Sequence, residues 1–279
     1  MEEAYLALAG VYDELMDDTP YEKWRDRIVS VIREHGVSET VRGMSATVAE
    51  HTKDTDDADK KLASERDLVL ELGCGTGRFT ELMYEAGYDM IGIDSSEEML
   101  NIAMKRKRDT GSDILYLCQD MRELDLYSTV GTVISIYDSI NYITDGEELS
   151  GVFGAVNKFL YPGGLFIFDF NTEYKYRVVN ADNVFAENRE NVSFIWENYY
   201  DEESKLNEFD LTLFVREDEA SDIFRKYEET HIQRGYTAEE IKDMLRRAGF
   251  FWISMSDMDS GEAVCDTTER VLVVAKGEK

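Results

Sequence analysis

Between residues 67 and 170, short apolar runs alternate with segments of helical period, and this alternation leaves few architectures open. The runs are DLVLEL (67–72), YDMIGI (88–93), DILYLC (113–118), VGTVISI (130–136) and GLFIFDF (164–170). Between them, Phe79, Leu82, Met83 and Ala86 keep the i, i+3, i+4, i+7 spacing of one helix face, as do Leu149, Val152, Phe153, Val156 and Leu160. Ser95 with Glu98, and Asp145 with Glu148, read as capping boxes at helix starts, and Gly87 reads as a helix stop. Strands apolar on both faces that alternate with helices form a parallel sheet covered on both sides. The expected class is therefore α/β.

After residue 180 the pattern changes. NVSFIWENYY (191–200), KLNEFDLTLFVRE (205–217) and SDIFRKYEETHIQRGY (221–236) alternate polar and apolar residues and are punctuated by DEES and DEAS, which predicts an antiparallel meander of three strands. A helix over 237–250, with Ile241, Leu245 and Ala248 on one face, and two strands at 250–257 and 269–277 follow it. The meander is thus an insertion between sheet elements. At the other end, residues 21–36 form an amphipathic helix that turns Trp24, Ile28, Val31 and Ile32 inward. The charged run at 50–61 has no periodicity and reads as a mobile loop. The expected organisation is one domain from residues 1–180 and 235–279, with an N-terminal lid helix, and an inserted antiparallel β cap at 181–234.

Charge narrows the partners. Fifty-nine acidic residues against 30 Lys and Arg give a net charge of −29, which repels phosphate backbones, so no nucleic-acid partner is expected. The one basic cluster, Lys105 to Arg108, falls at the end of a helix, where positive charge complements the helix dipole. Cys74, Cys118 and Cys265 are far apart and form no CxxC, which argues against a zinc site or a disulfide framework. They read as reduced, buried thiols of a cytoplasmic protein, with no metal. No apolar stretch is long enough to span a bilayer, and MEEAYLALAG lacks the basic start of a signal peptide.

The sequence LELGCGTGRF (70–79) places Gly73, Gly75 and Gly77 between the first strand and the first helix. In a doubly wound sheet, ligands bind outside the carboxyl ends of the strands, and glycines there permit a tight turn and close approach. Asp94 follows at the end of the second strand, 21 residues after Gly73, where a carboxylate can accept both hydroxyls of a ribose. The loop and the acid together indicate an adenosine ligand. The spacing is GxGxG, with Arg78 at the third glycine position of the dinucleotide fingerprint, and the P-loop pattern is absent. Glu71 would repel a pyrophosphate but could accept from an amino group.

VLELGCGTGRF, IGIDSSEEML, LCQDMRELDL and YPGGLFIFDF resemble the ordered motifs of class I S-adenosylmethionine-dependent methyltransferases over residues 67 to 170. VYDELMDD with YEKW, SIYDSINYI, and EETHIQRGYT after a strand meander resemble the small-molecule N-methyltransferases, including the amino-sugar N,N-dimethyltransferases and, more distantly, glycine N-methyltransferase. The resemblance implies a Rossmann-like sheet of seven strands and S-adenosyl-L-methionine as cofactor. It implies that Gly73, Cys74, Gly75 and Gly77 pass under the methionine part and ribose, and that Glu71 supports the loop or meets the methionine amino group. Asp94 would hold the ribose, Ser95 and Met99 would flank the adenine, Asp120 would accept from its amino group and Met121 would pack on its ring. Tyr137 and Asp138 would sit near the transferring methyl, and His231, ending the last meander strand, is either a catalytic base or a structural histidine.

A lone pair that attacks the methyl in line needs no metal and no covalent intermediate, so the protein contributes chiefly alignment. An amine acceptor must first lose its proton to a base or through desolvation. Aromatic faces suit a cationic methyl donor, and Tyr12, Tyr21, Trp24 and Tyr142 are candidates to form a lid and pocket. The expected activity is methyl transfer to a small polar acceptor, an amine in the first instance. The rivals are a nucleic-acid methyltransferase, disfavoured by charge and by the YDSI sequence where an NPPY-type motif would stand, a nicotinamide oxidoreductase, disfavoured by loop spacing, and a non-catalytic cofactor-binding protein.

Overall fold

A computed structural model describes residues 8–41, 57–218 and 222–277. After a 3-10 turn (Leu8–Gly10) and a single helical turn (Tyr12–Leu15), the first long helix, α1 (Tyr21–His35), precedes α2 (Asp57–Asp67). The glycine loop then joins β1 (Leu68–Leu72) to α3 (Arg78–Glu85). Next come β2 (Asp89–Asp94), α4 (Glu97–Thr110), β3 (Leu115–Cys118), β4 (Val130–Ser135), α5 (Gly146–Phe159) and β5 (Leu160–Asn171). A second set of strands, β6 (Val184–Asn188), β7 (Val192–Asp201), β8 (Leu206–Arg216) and β9 (Phe224–Arg234), stands before α6 (Ala238–Arg247), β10 (Phe250–Asp257) and β11 (Arg270–Gly277). The large sheet has the order β10-β11-β5-β4-β1-β2-β3. Strands β1 to β5 run parallel, and β11 enters antiparallel between β5 and β10.

The two-residue period of the strands divides the core between the two faces of this sheet. On one face, Phe166, Phe168 and Phe170 of β5 and Val271 and Val273 of β11 pack with Leu149, Val152 and Phe153 of α5 and with Ile241 and Leu245 of α6. On the other, Leu165, Ile167, Leu272 and Val274 pack with Trp24, Ile28 and Ile32 of α1 and with Phe79 and Met83 of α3. Ile28 is 0% exposed, and burying a side chain of this kind contributes ~1.5–3 kcal/mol. By the same alternation, Glu71 on β1, Asp169 on β5 and Arg270 on β11 project toward the α1 side, close to the strand ends where β1, β2 and β4 open.

The second sheet is antiparallel, in the order β6-β7-β8-β9. It has four strands, one more than the sequence predicts. Strand β6 is exposed at all five positions, so it carries no alternation to read. Its neighbours bury Val192, Leu211 and Leu213 under an N-terminal turn that contributes Leu8, with Val11, Tyr12 and Leu15 beside it.

Other expectations shift. The charged run at 50–61 is not a loop throughout: residues 57–61 open α2, while 50–56 lie outside the described residues. The end of α2 packs on β4. The Ser38 hydroxyl bonds the Arg66 carbonyl (3.1 Å) and Thr132 of β4 (2.8 Å), and Thr129 donates to Glu65 at 2.9 Å. Helix α4 is capped by Ser96, not Ser95: Asp94 accepts from Ser96 N–H (2.8 Å), which delays the helix by one residue. Asp145 caps α5 without the reciprocal bond, because the Glu148 carboxylate turns to Arg122 (3.3 Å). The full capping box is Thr237 with Glu240. Of the cysteines only Cys74 is buried; Cys118 ends the edge strand β3 and Cys265 lies in the turn before β11. No described helix is long and apolar enough to cross a membrane.

Candidate active site

A cavity of about 470 Å³ opens at the carboxyl ends of β1, β2 and β4, within the range of small-molecule sites. Its floor is the glycine loop. All three glycines have positive φ, but a Cβ would meet different surroundings at each. At Gly75 there is open space within 4 Å, so that position faces the cavity; at Gly73 a Cβ would strike the Ser139 hydroxyl, and at Gly77 the Tyr116 hydroxyl. Gly77 does not line the cavity: its bare backbone serves packing at the start of α3.

Asp94 stands at the side of this floor. One carboxylate oxygen accepts from Gly75 N–H and the other from Ser96 N–H, each at 2.8 Å, so the acid fixes the loop and still presents lone pairs to the cavity. Burial raises its pKa and these backbone donors oppose the rise. Glu71 is buried in the cavity wall and accepts from the Thr80 hydroxyl (2.5 Å), and burial pushes its carboxyl up to about 8. Cys74, Ser95, Met99, Asp120 and Met121 line the same space. Asp120 is held by Arg122, whose guanidinium reaches it at 2.5 Å and holds its carboxyl below the usual range.

Beyond β4 the wall is formed by Tyr137. Tyr137 and Asp138 are both left-handed (φ 69° and 51°), a conformation that costs a non-glycine residue roughly 1–2 kcal/mol. Asp169 secures this turn by accepting from Tyr137 N–H (2.6 Å) and Asp138 N–H (3.2 Å). Arg270 then bridges Asp169 and Asp138, reaching the latter at 2.6 Å, and Gln233 of β9 donates to the other Asp138 oxygen at 2.7 Å. Asp138 is therefore turned into a buried network and does not line the cavity. Asp169 and Arg270, absent from the sequence reading, hold the turn in place. An acid interrupting FIFDF and an arginine opening RVLVV were the available signals.

Aromatic side chains close the remaining walls. Tyr12, Tyr21, Tyr137 and Tyr142 face the cavity, whereas Trp24 is packed behind them, its ring 5.8 Å from that of Tyr137. Burial raises the pKa of the Tyr12 and Tyr137 hydroxyls. The turn that carries Tyr12 is tied on both sides. The Thr76 hydroxyl donates to Asp13 at 2.7 Å and Arg106 pairs with the same carboxylate, while Arg189, between β6 and β7, bonds the Glu14 carbonyl and Asp17 (2.9 Å).

His231 does not reach the cavity. Its ring is fully covered, stacked on Phe209 at 4.7 Å and 4°, with Nδ1 3.1 Å from the Tyr142 hydroxyl and Nε2 3.4 Å from Glu229. Glu229 and Gln233 share its inward face of β9, and neither was singled out in the sequence. Among the described residues, no group of three His, Cys, Asp or Glu is placed to hold a metal ion.

Residues 69–164 match the family described as "Methyltransferase domain". A Bacillus subtilis (strain 168) protein named "Putative methyltransferase YqeM" is 32% identical over 247 residues, 88% of this chain and 86% of that one. The chain belongs to the class I S-adenosylmethionine-dependent methyltransferases. A crystal structure of an S-adenosylmethionine-dependent methyltransferase from Clostridium acetobutylicum ATCC 824 superposes with a TM-score of 0.80 at 28% identity, covering 98% of each chain. The dTDP-3-amino-3,4,6-trideoxy-alpha-D-glucopyranose N,N-dimethyltransferase of Streptomyces venezuelae is 30% identical over 126 residues, 45% of this methyltransferase and 51% of that one. The family and cofactor implied by the motifs are borne out, as is the seven-stranded α/β fold.

Proposed function

We propose that this methyltransferase acts on a small polar acceptor, an amine in the first instance, held between the strand ends of the large sheet and the N-terminal turn that carries Tyr12, with residues 181–234 forming a cap packed behind that turn. The carrying observation is the cavity itself: the glycine floor with Asp94 at one end, and a wall of four tyrosines at the other. S-adenosyl-L-methionine, when bound, supplies the electrophilic methyl. The open face of Gly75 gives it backbone contact, Asp94 receives the ribose hydroxyls, and Glu71 receives the methionine ammonium as a carboxylate. Ser95, Met99, Asp120 and Met121 bracket the adenine. The acids lining the cavity are Glu71, Asp94, Glu97, Glu98 and Asp120, while Arg78 and Arg122 are engaged by lid carbonyls and by Asp120. That charge balance suits a cationic donor.

Tyr12, Tyr137 and Tyr142 orient the acceptor and exclude water from it. Asp138 acts indirectly, by fixing the turn that carries Tyr137. The net charge of −29 and the enclosed, acidic cavity favour a small molecule over a nucleic acid. The Streptomyces venezuelae enzyme, whose name specifies an amino-sugar acceptor, supports nitrogen as the methylated atom. Radiolabelled methyl transfer to amino sugars, amino acids, polyamines, tRNA and DNA tests the reading. Label confined to a small amine is the expected result; salt-sensitive labelling of tRNA or DNA would overturn it.

A further inference from the structure

We infer that Glu229, His231 and Tyr142 form a proton relay that ends at the cavity wall, with Tyr142 as the residue that touches the acceptor and His231 and Glu229 as its positioning residues. The inference rests on the proposed reading that the acceptor must shed a proton. Tyr142 lines the cavity and its hydroxyl is 3.1 Å from His231 Nδ1. On the far side, Glu229 stands 3.4 Å from Nε2, and its second oxygen accepts from Leu8 N–H at 3.0 Å. The His231 and Glu229 side chains are 0% and 3% exposed. The same inner face carries the apolar Val192, Leu211 and Leu213 and also the buried polar Asn198, Asn207 and Gln233, of which Asn207 donates to Asn198 at 3.1 Å and Gln233 to Asp138 at 2.7 Å. Glu229 is a carboxylate among these neutral groups, and burying it beside an imidazole costs desolvation that a neutral pair would avoid; a role at the Tyr142 hydroxyl accounts for that cost.

The order of the groups fixes the direction. The 3.4 Å approach of Glu229 to Nε2 is a charge contact and not a hydrogen bond, but a carboxylate can only accept, so its charge there favours the tautomer with hydrogen on Nε2 and leaves Nδ1 bare to accept from the phenol. The protonated acceptor first passes a proton to the Tyr142 oxygen while the phenol's own proton passes to Nδ1, so the ammonium charge ends on an imidazolium beside the Glu229 carboxylate. With S-adenosyl-L-methionine bound, the freed nitrogen lone pair would form the bond to the methyl carbon as the carbon–sulfur bond broke with its electron pair left on sulfur, and the sulfonium charge would end on the methylated amine. Solvent reclaims the imidazolium proton on opening. Tyr12, from the N-terminal turn, and Tyr176, from the segment after β5, are ionisable groups in electrostatic contact with Tyr142, and burial raises both phenols. Asp138 acts on the same two phenols and is itself paired with Arg270 and Gln233. Against His231 itself, β8 presents the uncharged Phe209, and β9 presents Glu229 and the uncharged Gln233.

The full chain with S-adenosylhomocysteine bound can be tested first by nitrogen-15 NMR of the His231 ring. The expected signature is hydrogen on Nε2 and a bare Nδ1 at neutral pH; hydrogen on Nδ1 in the neutral ring would overturn the relay, and this readout needs no variant and no acceptor. In the labelling assay with a primary amino sugar, Tyr142→Phe should slow transfer by ~10²–10⁴-fold without changing S-adenosylhomocysteine affinity. The deficit should narrow as pH rises toward the amine's own pKa, where solvent removes the proton instead. An unchanged rate, or a deficit constant with pH, would overturn the relay. Absence of label from every amine would count against the amine reading alone, since the ring tautomer judges the relay separately.

Discussion

At the glycine-loop end of the cavity, the groups that meet the ligand are close in sequence and anchored by backbone: Asp94 bonds Gly75 N–H and Ser96 N–H within a stretch of about twenty residues. At the tyrosine end, nearly every side chain is held by a partner far along the chain. Asp169 meets Arg270 across 101 residues, Asp138 meets Arg270 across 132, and Glu229 meets Leu8 across 221. The first end binds a ligand of fixed chemistry and is written as a local motif. The second must be assembled by the fold, and its polar groups are joined by buried ion pairs and hydrogen bonds, to side chains and backbone alike, that span large sequence separations.

Four experiments can break or sharpen that contrast. The largest effect is expected at Arg270. Arg270→Ala leaves the Asp138 and Asp169 carboxylates buried without their counter-charge, and unfolding in urea should show a loss of ~3–5 kcal/mol. A loss under 1 kcal/mol would mean that the tyrosine end does not depend on its network.

Glu71 comes next, because burial has moved it from 4.5 to about 8. Between those values the folded protein holds a proton that the unfolded chain has released, so stability falls as pH rises through the window. Glu71→Gln removes this dependence, and its stability relative to the wild type should rise from pH 5 to pH 8. S-adenosylhomocysteine affinity in the wild type should increase over the upper part of the same window, as the carboxylate forms beneath the ligand's ammonium. Affinity flat with pH would remove Glu71 from the amino-group contact.

Asp94→Ala should weaken S-adenosylhomocysteine binding by ~1.5–3 kcal/mol in calorimetry, the worth of a charged hydrogen-bond partner. NAD should not bind to either form. Gly75→Ala is the smallest change: no atom lies within 4 Å of the new Cβ, so only the left-handed backbone is penalised, at roughly 1–2 kcal/mol in thermal unfolding. Gly77→Ala should cost more, since its Cβ would meet Tyr116. The reverse order would contradict the assignment of Gly75 to the cavity and Gly77 to packing.

The same contrast explains what could be read in advance. Parallel strands buried on both faces leave continuous apolar runs, so β1 to β5 are visible in the sequence, and the glycine loop and Asp94 sit at fixed offsets from them. Strand β6 is not visible because all of its residues are exposed. Helix α2 is hidden by the density of charge in DADKK, although its last turn packs on β4. Strand β9 is legible as a strand, but its buried residues are Glu229, His231 and Gln233 while Ile232 points outward. A reading that expects apolar residues inside therefore assigns its faces the wrong way round. His231 stood out by residue type, and nothing local showed that it addresses the cavity only through Tyr142.

The turn that carries Tyr12 has a consequence in time as well as in space. Synthesis makes it early, yet none of the side chains that tie it down exists when it emerges. Thr76 arrives 63 residues after its partner Asp13, Arg106 after 93, Arg189 172 residues after Asp17, and Glu229 221 residues after Leu8. The turn therefore precedes in the chain every one of these partners, and its place in the cavity wall is fixed by residues that follow it, up to the last strand of the second sheet.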